Sequence, residues 1–311
     1  MELRSNRISG ILSGLAAASI WGGMYVISKV VMTVIPPFTL ITLRLVLGVA
    51  ALWLVIAWKG GLRLNRRQIL EVIAVGWIGY GISIGFQFVG TNLSTASNGA
   101  LVTSATPAFV VLFAAWLLKE PVTPRRLLAL VLATLGVLIV VDPRTARLSP
   151  DLFWGNLCLI AAALTWALYS VLVGKVSRER DVLQVSMVAF WGGFLISLPA
   201  GWWEVQTIGV GQITVGVVAG VLFLGIISTA LAMFLWNYAF ATLEAGVASL
   251  TFFAQPVVGA ALGTTFLGEK LTPLFFLGAG LIGLGLWLSS SNRPLSKSKQ
   301  ARRIGEDAEI G

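Results

Sequence analysis

The sequence contains no histidine and a single cysteine, Cys158. Without histidine there can be no His-ligated metal site and no His general base. One cysteine rules out an intrachain disulfide. Charge is scarce as well: 11% of the 311 residues are charged, against about 25% in soluble domains. Acidic residues are the rarest, 13 against 22 basic. No phosphate loop, hydrolase elbow or metal-ligand spacing is present, so neither an enzyme nor a bound cofactor is expected. Apolar side chains fill the chain instead, 57% of it, with a mean hydropathy of +0.89. That excludes a soluble globular domain, a nucleic-acid-binding module and a disordered chain. An integral membrane protein remains. The net charge of +9 would point to nucleic acid in a soluble protein. Here the basic residues lie between apolar runs, where they orient a chain in a bilayer.

The expected fold is all-α and integral to the membrane. Ten apolar runs approach the roughly 20 residues that a spanning helix needs. They are 9–32, 38–57, 69–90, 97–118, 125–141, 154–174, 183–203, 214–236, 245–267 and 273–290. The first follows Arg4 and Arg7 and is too long for a signal-peptide core, so it reads as an uncleaved helix. Period-2 alternation is absent, which argues against a β-barrel. With the N-terminus in the cytoplasm, 17 basic residues fall on the cytoplasmic side and 3 on the other. The positive-inside rule therefore predicts that both termini are cytoplasmic. The tail, 291–311, reads as disordered.

The chain also repeats itself. Residues 107–124, PAFVVLFAAWLLKEPVTP, match 256–273, PVVGAALGTTFLGEKLTP. A shift of 149 lays Pro107 on Pro256, Glu120 on Glu269, Thr123 on Thr272 and Pro124 on Pro273. A second pair aligns AASIWGGMY around Trp21 with AALTWALYS around Trp166. Residues 1–141 and 154–290 thus form two five-helix units. Five is odd, so the second unit runs through the bilayer the other way up. Inverted repeats can expose a midplane site to each side in turn, which is transporter architecture.

Together, Ser-Ile-Trp-Gly-Gly-Met-Tyr (19–25), Leu-Thr-Trp-Ala-Leu-Tyr-Ser (164–170), Thr-Leu-Arg-Leu (42–45), the stretch from Ser104-Ala105-Thr106-Pro107 to Glu120-Pro121-Val122-Thr123, and Gln255-Pro256 with Glu269-Lys270-Leu271-Thr272 carry a resemblance. The chain resembles the EamA family of the drug/metabolite transporter superfamily over about 9–290. The resemblance implies a central cavity between the repeats and export of small metabolites, often amino acids, from the bacterial inner membrane. Multidrug export and sugar-phosphate-type exchange are the alternatives. The implied partners are the lipid bilayer and a small-molecule substrate, with no nucleic acid; monomer and homodimer both stay open.

Two cations fall within spans, Lys29 and Arg44. An ionisable residue at that depth is a functional candidate by default. Lys29 either snorkels to the interface or, with Arg44, sets a positive field for an anionic or zwitterionic substrate. Arg44 otherwise clamps neighbouring carbonyls. By these boundaries no Asp or Glu lies mid-span. That weakens export of organic cations, where proton and substrate share a buried carboxylate. Neutral polar and aromatic candidates for the substrate pathway are Trp21, Tyr25, Tyr80, Gln87, Asn98, Thr103, Thr106, Trp166, Tyr169, Ser228, Trp236, Asn237 and Gln255, with Asn237 just past the end of its span. Each can instead sit at the interface or bridge helices. Pro107 and Pro256 are expected to bend their helices or free the carbonyls of Thr103 and Phe252. Glu120 and Glu269 are expected to cap the following helix or to pair with Arg125, Arg126 or Lys270.

Overall fold

A computed structural model describes residues 2–94, 102–103, 105–141, 152–258, 261 and 273–290. The described residues hold ten helical stretches and no strand. They are α1 (Glu2–Met32), α2 (Pro37–Trp58), α3 (Arg66–Leu93), α4 (Thr106–Leu117), α5 (Pro124–Val141), α6 (Phe153–Ser177), α7 (Val182–Thr207), α8 (Val215–Thr242), α9 (Ala245–Val258) and α10 (Pro273–Ser290). Five of them, α2, α3, α6, α7 and α8, are long and apolar enough to cross a membrane. Hydrocarbon offers no water to a bare amide, so a spanning chain closes its hydrogen bonds within each helix.

Local chemistry sets the helix ends. Gly60 and Gly61 turn the chain out of α2 with φ of 100° and 86°, a region open to glycine without strain. Asn65 and Gln68 form a reciprocal capping box at the start of α3, both bonds at 2.9 Å. Asp181 caps α7 and Thr214 caps α8. Thr123 Oγ1 accepts the Arg126 N–H at 3.3 Å, the cap its Thr-Pro sequence predicts. The start of α2 is capped from another helix. The Glu204 carboxylate in α7 accepts the Phe38 and Thr39 N–H groups at 3.1 and 2.8 Å.

The packing recurs with exchanged roles. In α2, Gly48 lies against Phe190 and Thr229; in α7, Gly193 lies against Leu45 and Tyr80. Gly193 is 145 positions after Gly48, Phe190 145 after Leu45, and Thr229 149 after Tyr80. The same holds for α5 and α10, where Gly136 faces the Gly278 carbonyl and Ile282, and Gly285 faces the Ala129 carbonyl and Ala133. It holds again for Gly10 against Thr242 and Gly155 against Leu93. Both α3 and α8 widen to π-helix at matching places, Trp77–Ser83 and Phe223–Leu231. Small residues at these contacts let backbones meet where lipid supplies no hydrophobic drive between helices.

Tryptophans divide by depth. Nine of the twelve are on the outer surface, among them Trp58, Trp116 and Trp287 toward one end and Trp154, Trp202 and Trp203 toward the other. Two such girdles suit the two interfaces of a bilayer. The remaining three, Trp21, Trp166 and Trp236, are buried together.

The helices add three details to the expected spans. Helix α4 starts at Thr106, which puts Pro107 in its first turn, where no internal bond is lost. Helix α9 contains a tight 3-10 turn, Thr251–Phe253, three residues before Pro256. Helix α8 continues to Thr242, so Asn237 is a buried helical residue.

The tightest approach is between α3 and α7. A Cβ at Gly76 would stand 1.9 Å from the Ala189 carbonyl oxygen, while one at Gly280 would meet nothing within 4 Å. Gly76→Ala should therefore lower stability by about 1–3 kcal/mol. Gly280→Ala should leave it within about 0.5 kcal/mol. Thermal unfolding of the two purified variants checks the contrast.

Candidate functional site

A cavity sits among α1, α2, α3, α4, α6, α8 and α9. Its walls are Trp21, Met24, Arg44, Ser83, Ile84, Gln87, Thr103, Thr106, Ala162, Ala163, Trp166, Met233, Phe252 and Gln255. It lies in the half of the bundle toward Pro36, Ser94 and Leu152, away from the basic loops.

Arg44 is the buried charge of this cavity, only 3% exposed. Its Nε donates to Thr229 Oγ1 at 3.1 Å, and Nη2 lies 3.5 Å from Ser228 Oγ and 3.6 Å from Met24 Sδ. The guanidinium stands over the Phe88 ring at 5.4 Å, a cation–π distance. Nη1 has no partner. Three further buried polar atoms on the walls also lack one: Trp166 Nε1, Thr106 Oγ1 and Gln255 Oε1. Among the described residues no carboxylate lines the cavity.

An aromatic cluster floors it. Trp21 meets Trp166 edge-on at 5.7 Å and Trp236 at 5.2 Å, and Phe252 closes on both Trp21 and Trp236. The Trp21 indole N–H donates to the Ser228 carbonyl at 3.0 Å, inside the widened turn of α8. Below lies a hydrogen-bonded chain. The Tyr169 hydroxyl donates to Asn237 Oδ1 at 2.9 Å, so the Tyr80 hydroxyl must be the donor in its own contact with Tyr169. Asn237 Nδ2 donates to Ser186 Oγ at 2.9 Å, and Ser186 donates to the Val182 carbonyl. Trp236 Nε1 donates to Ser170 Oγ at 3.0 Å. The direction is consistent throughout and every group is used.

Of the sequence candidates, the cavity gathers Trp21, Arg44, Gln87, Thr103, Thr106, Trp166 and Gln255. Ser228 touches it through Arg44 and Trp21. Tyr80, Tyr169, Trp236 and Asn237 do not line it; they seal the bundle beneath. Asn98 and the side chains of Tyr25 and Lys29 lie outside the described residues. Met24, Ile84, Ala162, Ala163, Met233 and Phe252 were not foreseen, because an apolar wall residue and a lipid-facing one look alike in sequence. Ser83 was missed too; its hydroxyl donates to the Ala162 carbonyl at 2.9 Å.

The basic end is latched. Glu120, before α5, does not cap the helix that follows it. Its carboxylate instead accepts the Ala245 and Gly246 N–H groups at 2.9 and 3.3 Å, capping α9 of the other half. It also pairs with Arg126 at 3.6 Å and Arg178 at 3.5 Å. Arg126 in turn pairs with Glu244 and donates to the Pro121 carbonyl at 2.9 Å. Glu269 lies outside the described residues.

A largely apolar cavity that carries a buried cation and a few polar groups, inside an apolar helical bundle latched at one end, is the build of a multi-pass membrane transporter. The profile of the EamA-like transporter family matches residues 8–142 and 153–291, and the chain belongs to that family. An uncharacterized transporter of Archaeoglobus fulgidus is 26% identical, over 84% of this chain and 89% of its own. A probable amino-acid metabolite efflux pump of Salmonella typhimurium is 26% identical, over 91% of this chain and 95% of its own. A crystal structure at 20% identity shares the fold, with a TM-score of 0.75 over 96% of this chain and 99% of that one.

Removing the latch carboxylate takes one of two acid partners from buried Arg126 and leaves α9 without its cap. Glu120→Ala should cost about 1–2 kcal/mol. Glu120→Gln, which keeps an acceptor, should recover part of that. Thermal unfolding of both variants in detergent measures it; equal stability of Glu120→Ala and the parent would refute the latch.

Proposed function

We propose that this protein exports small organic metabolites, amino acids foremost, across the bacterial inner membrane by alternating access of the central cavity. The observation that carries the reading is the cavity itself. It is lined by one buried cation and neutral polar groups, with an aromatic floor and no described acid. Amide, hydroxyl and indole groups bind a zwitterion without a full buried charge on each side, and aromatic faces take an apolar side chain. A hydrophobic cation finds no counter-ion there, so multidrug export is the weaker reading. The relative named as a probable amino-acid metabolite efflux pump supports the substrate class.

In this reading the ten helices form two inverted five-helix units, 1–141 and 154–290, with both termini in the cytoplasm. The distribution of 17 basic residues against 3 supports the orientation. The latched basic end then faces the cytoplasm, and the cavity lies on the outward side of the seal. Export requires the Glu120 contacts and the tyrosine–asparagine chain to part, admitting substrate from the cytoplasm, while the outer end closes. The repeated packing gives the two ends comparable closing surfaces, so one rocking motion trades one seal for the other.

Counterflow of labelled amino acids in proteoliposomes tests the function. Uptake of a subset is expected, unchanged by an imposed pH gradient, because no carboxylate among the described residues lines the cavity. Uptake of none would overturn the amino-acid reading. Reporter fusions at residues 1 and 311 test the orientation, and both should report the cytoplasm.

A further inference from the structure

The four unpartnered wall atoms are not evenly split between donors and acceptors. Arg44 Nη1 and Trp166 Nε1 only donate, Thr106 Oγ1 does either, and Gln255 Oε1 is the one dedicated acceptor. A buried guanidinium without an acid is costly, because its desolvation is not repaid. The ordering of Arg44 makes this pointed. Nε and Nη2 are held by Thr229 and Ser228, which fixes the plane and leaves Nη1 unused. The Trp166 indole N–H is idle although its ring is packed on Trp21 and Tyr169, so it is oriented without being satisfied. The repeat sharpens the contrast. Trp21, its counterpart in the first half, donates its N–H to the Ser228 carbonyl.

Resting on the export reading, we propose that the cavity recognises its substrate through a carboxylate bound by Arg44 Nη1 and Trp166 Nε1, and that the substrate's amino group is dispensable. A carboxylate supplies the missing counter-charge and accepts from both donors. Among the unpartnered wall atoms an ammonium group would meet only the Gln255 carbonyl oxygen and the Thr106 hydroxyl, with a cation already in place. The substrate class is therefore carboxylates with a modest apolar side chain, including 2-oxo acids alongside 2-amino acids, and it excludes the amines formed by decarboxylation.

The test is ligand-induced thermal stabilisation of the purified full-length protein. The ligands are leucine and phenylalanine, their 2-oxo acids, and the amines left by decarboxylation. Acids with and without the amino group should stabilise the parent protein, within about tenfold of each other in apparent affinity. The amines should fail. Charge-assisted hydrogen bonds of this kind are worth at least about tenfold in affinity. Trp166→Phe keeps a packing ring and removes only the donor, so it should fold and bind carboxylates at least about tenfold more weakly. Arg44→Lys keeps the charge and guards against loss of fold in Arg44→Gln; it should weaken carboxylates and leave the amines inactive. Amines that stabilise as well as the acids, an unaltered affinity in Trp166→Phe, or no stabilisation by any carboxylate would each overturn the proposal. Carboxylate binding without amino-acid counterflow would keep this site and sink the amino-acid export reading. Counterflow inhibited by amines and not by 2-oxo acids would do the reverse.

Discussion

A peptide group in hydrocarbon has no water to bond. That constraint shapes this molecule at every scale. It makes the described chain helical, because a helix closes its own bonds. It also makes the exceptions informative. Where α8 widens, carbonyls are taken up by side chains: Ser228 by the Trp21 indole and Leu224 by the Thr229 hydroxyl at 2.7 Å. Where helices start in the interior of the assembly, carboxylates from elsewhere serve the free N–H groups, Glu204 for α2 and Glu120 for α9. Two of the few acidic side chains are thus used at helix starts, where the N-terminal dipole also favours them. Neither enters the cavity.

Because lipid competes equally for apolar surface, the helices are held by shape and by polar contacts. Glycine supplies the shape. Gly76 and Gly192 bring two backbones together between α3 and α7, whereas the related Gly225 receives the Leu47 side chain. The two halves are therefore similar without being identical. That difference fits a protein whose two closed ends need different partners. At the basic end the seal is ionic and hydrogen-bonded, through Glu120, Arg126, Arg178 and the chain from Tyr80 to Ser186.

The cavity inherits its character from what surrounds it. Many polar groups in the bundle are spent on a neighbour: Tyr169 on Asn237, Trp236 on Ser170, Ser83 on the Ala162 carbonyl. Against that background the unspent groups of Arg44, Thr106, Trp166 and Gln255 stand out, and all four line one space. Other buried atoms without a partner, such as those of Ser28, Ser177, Ser197 and Ser289, are scattered singly, whereas these four meet at one cavity, and an unpaired buried polar group is costly.

Much was legible in the sequence. Composition alone assigns the chain to the membrane, since no soluble fold hides 57% apolar residues behind 11% charge. The 149-residue shift joins Pro107 to Pro256 and Glu120 to Glu269, and it also describes packing partners in α3, α5, α8 and α10 that no motif marks. Arg44 and Trp166 were singled out by type and place, because a charge at that depth and a repeated tryptophan are rare. The sequence could not say which polar side chains face a cavity and which face another helix. Tyr80, Tyr169, Trp236 and Asn237 look like Trp21 and Gln255 on the page, yet they close the seal. Nor could it show that Glu204, drawn one residue past its span, is buried, or that Glu120 serves α9 instead of α5. A linear pattern fixes depth and helix face. Which neighbour occupies that face depends on how helices from two halves cross, and only the tertiary packing decided that.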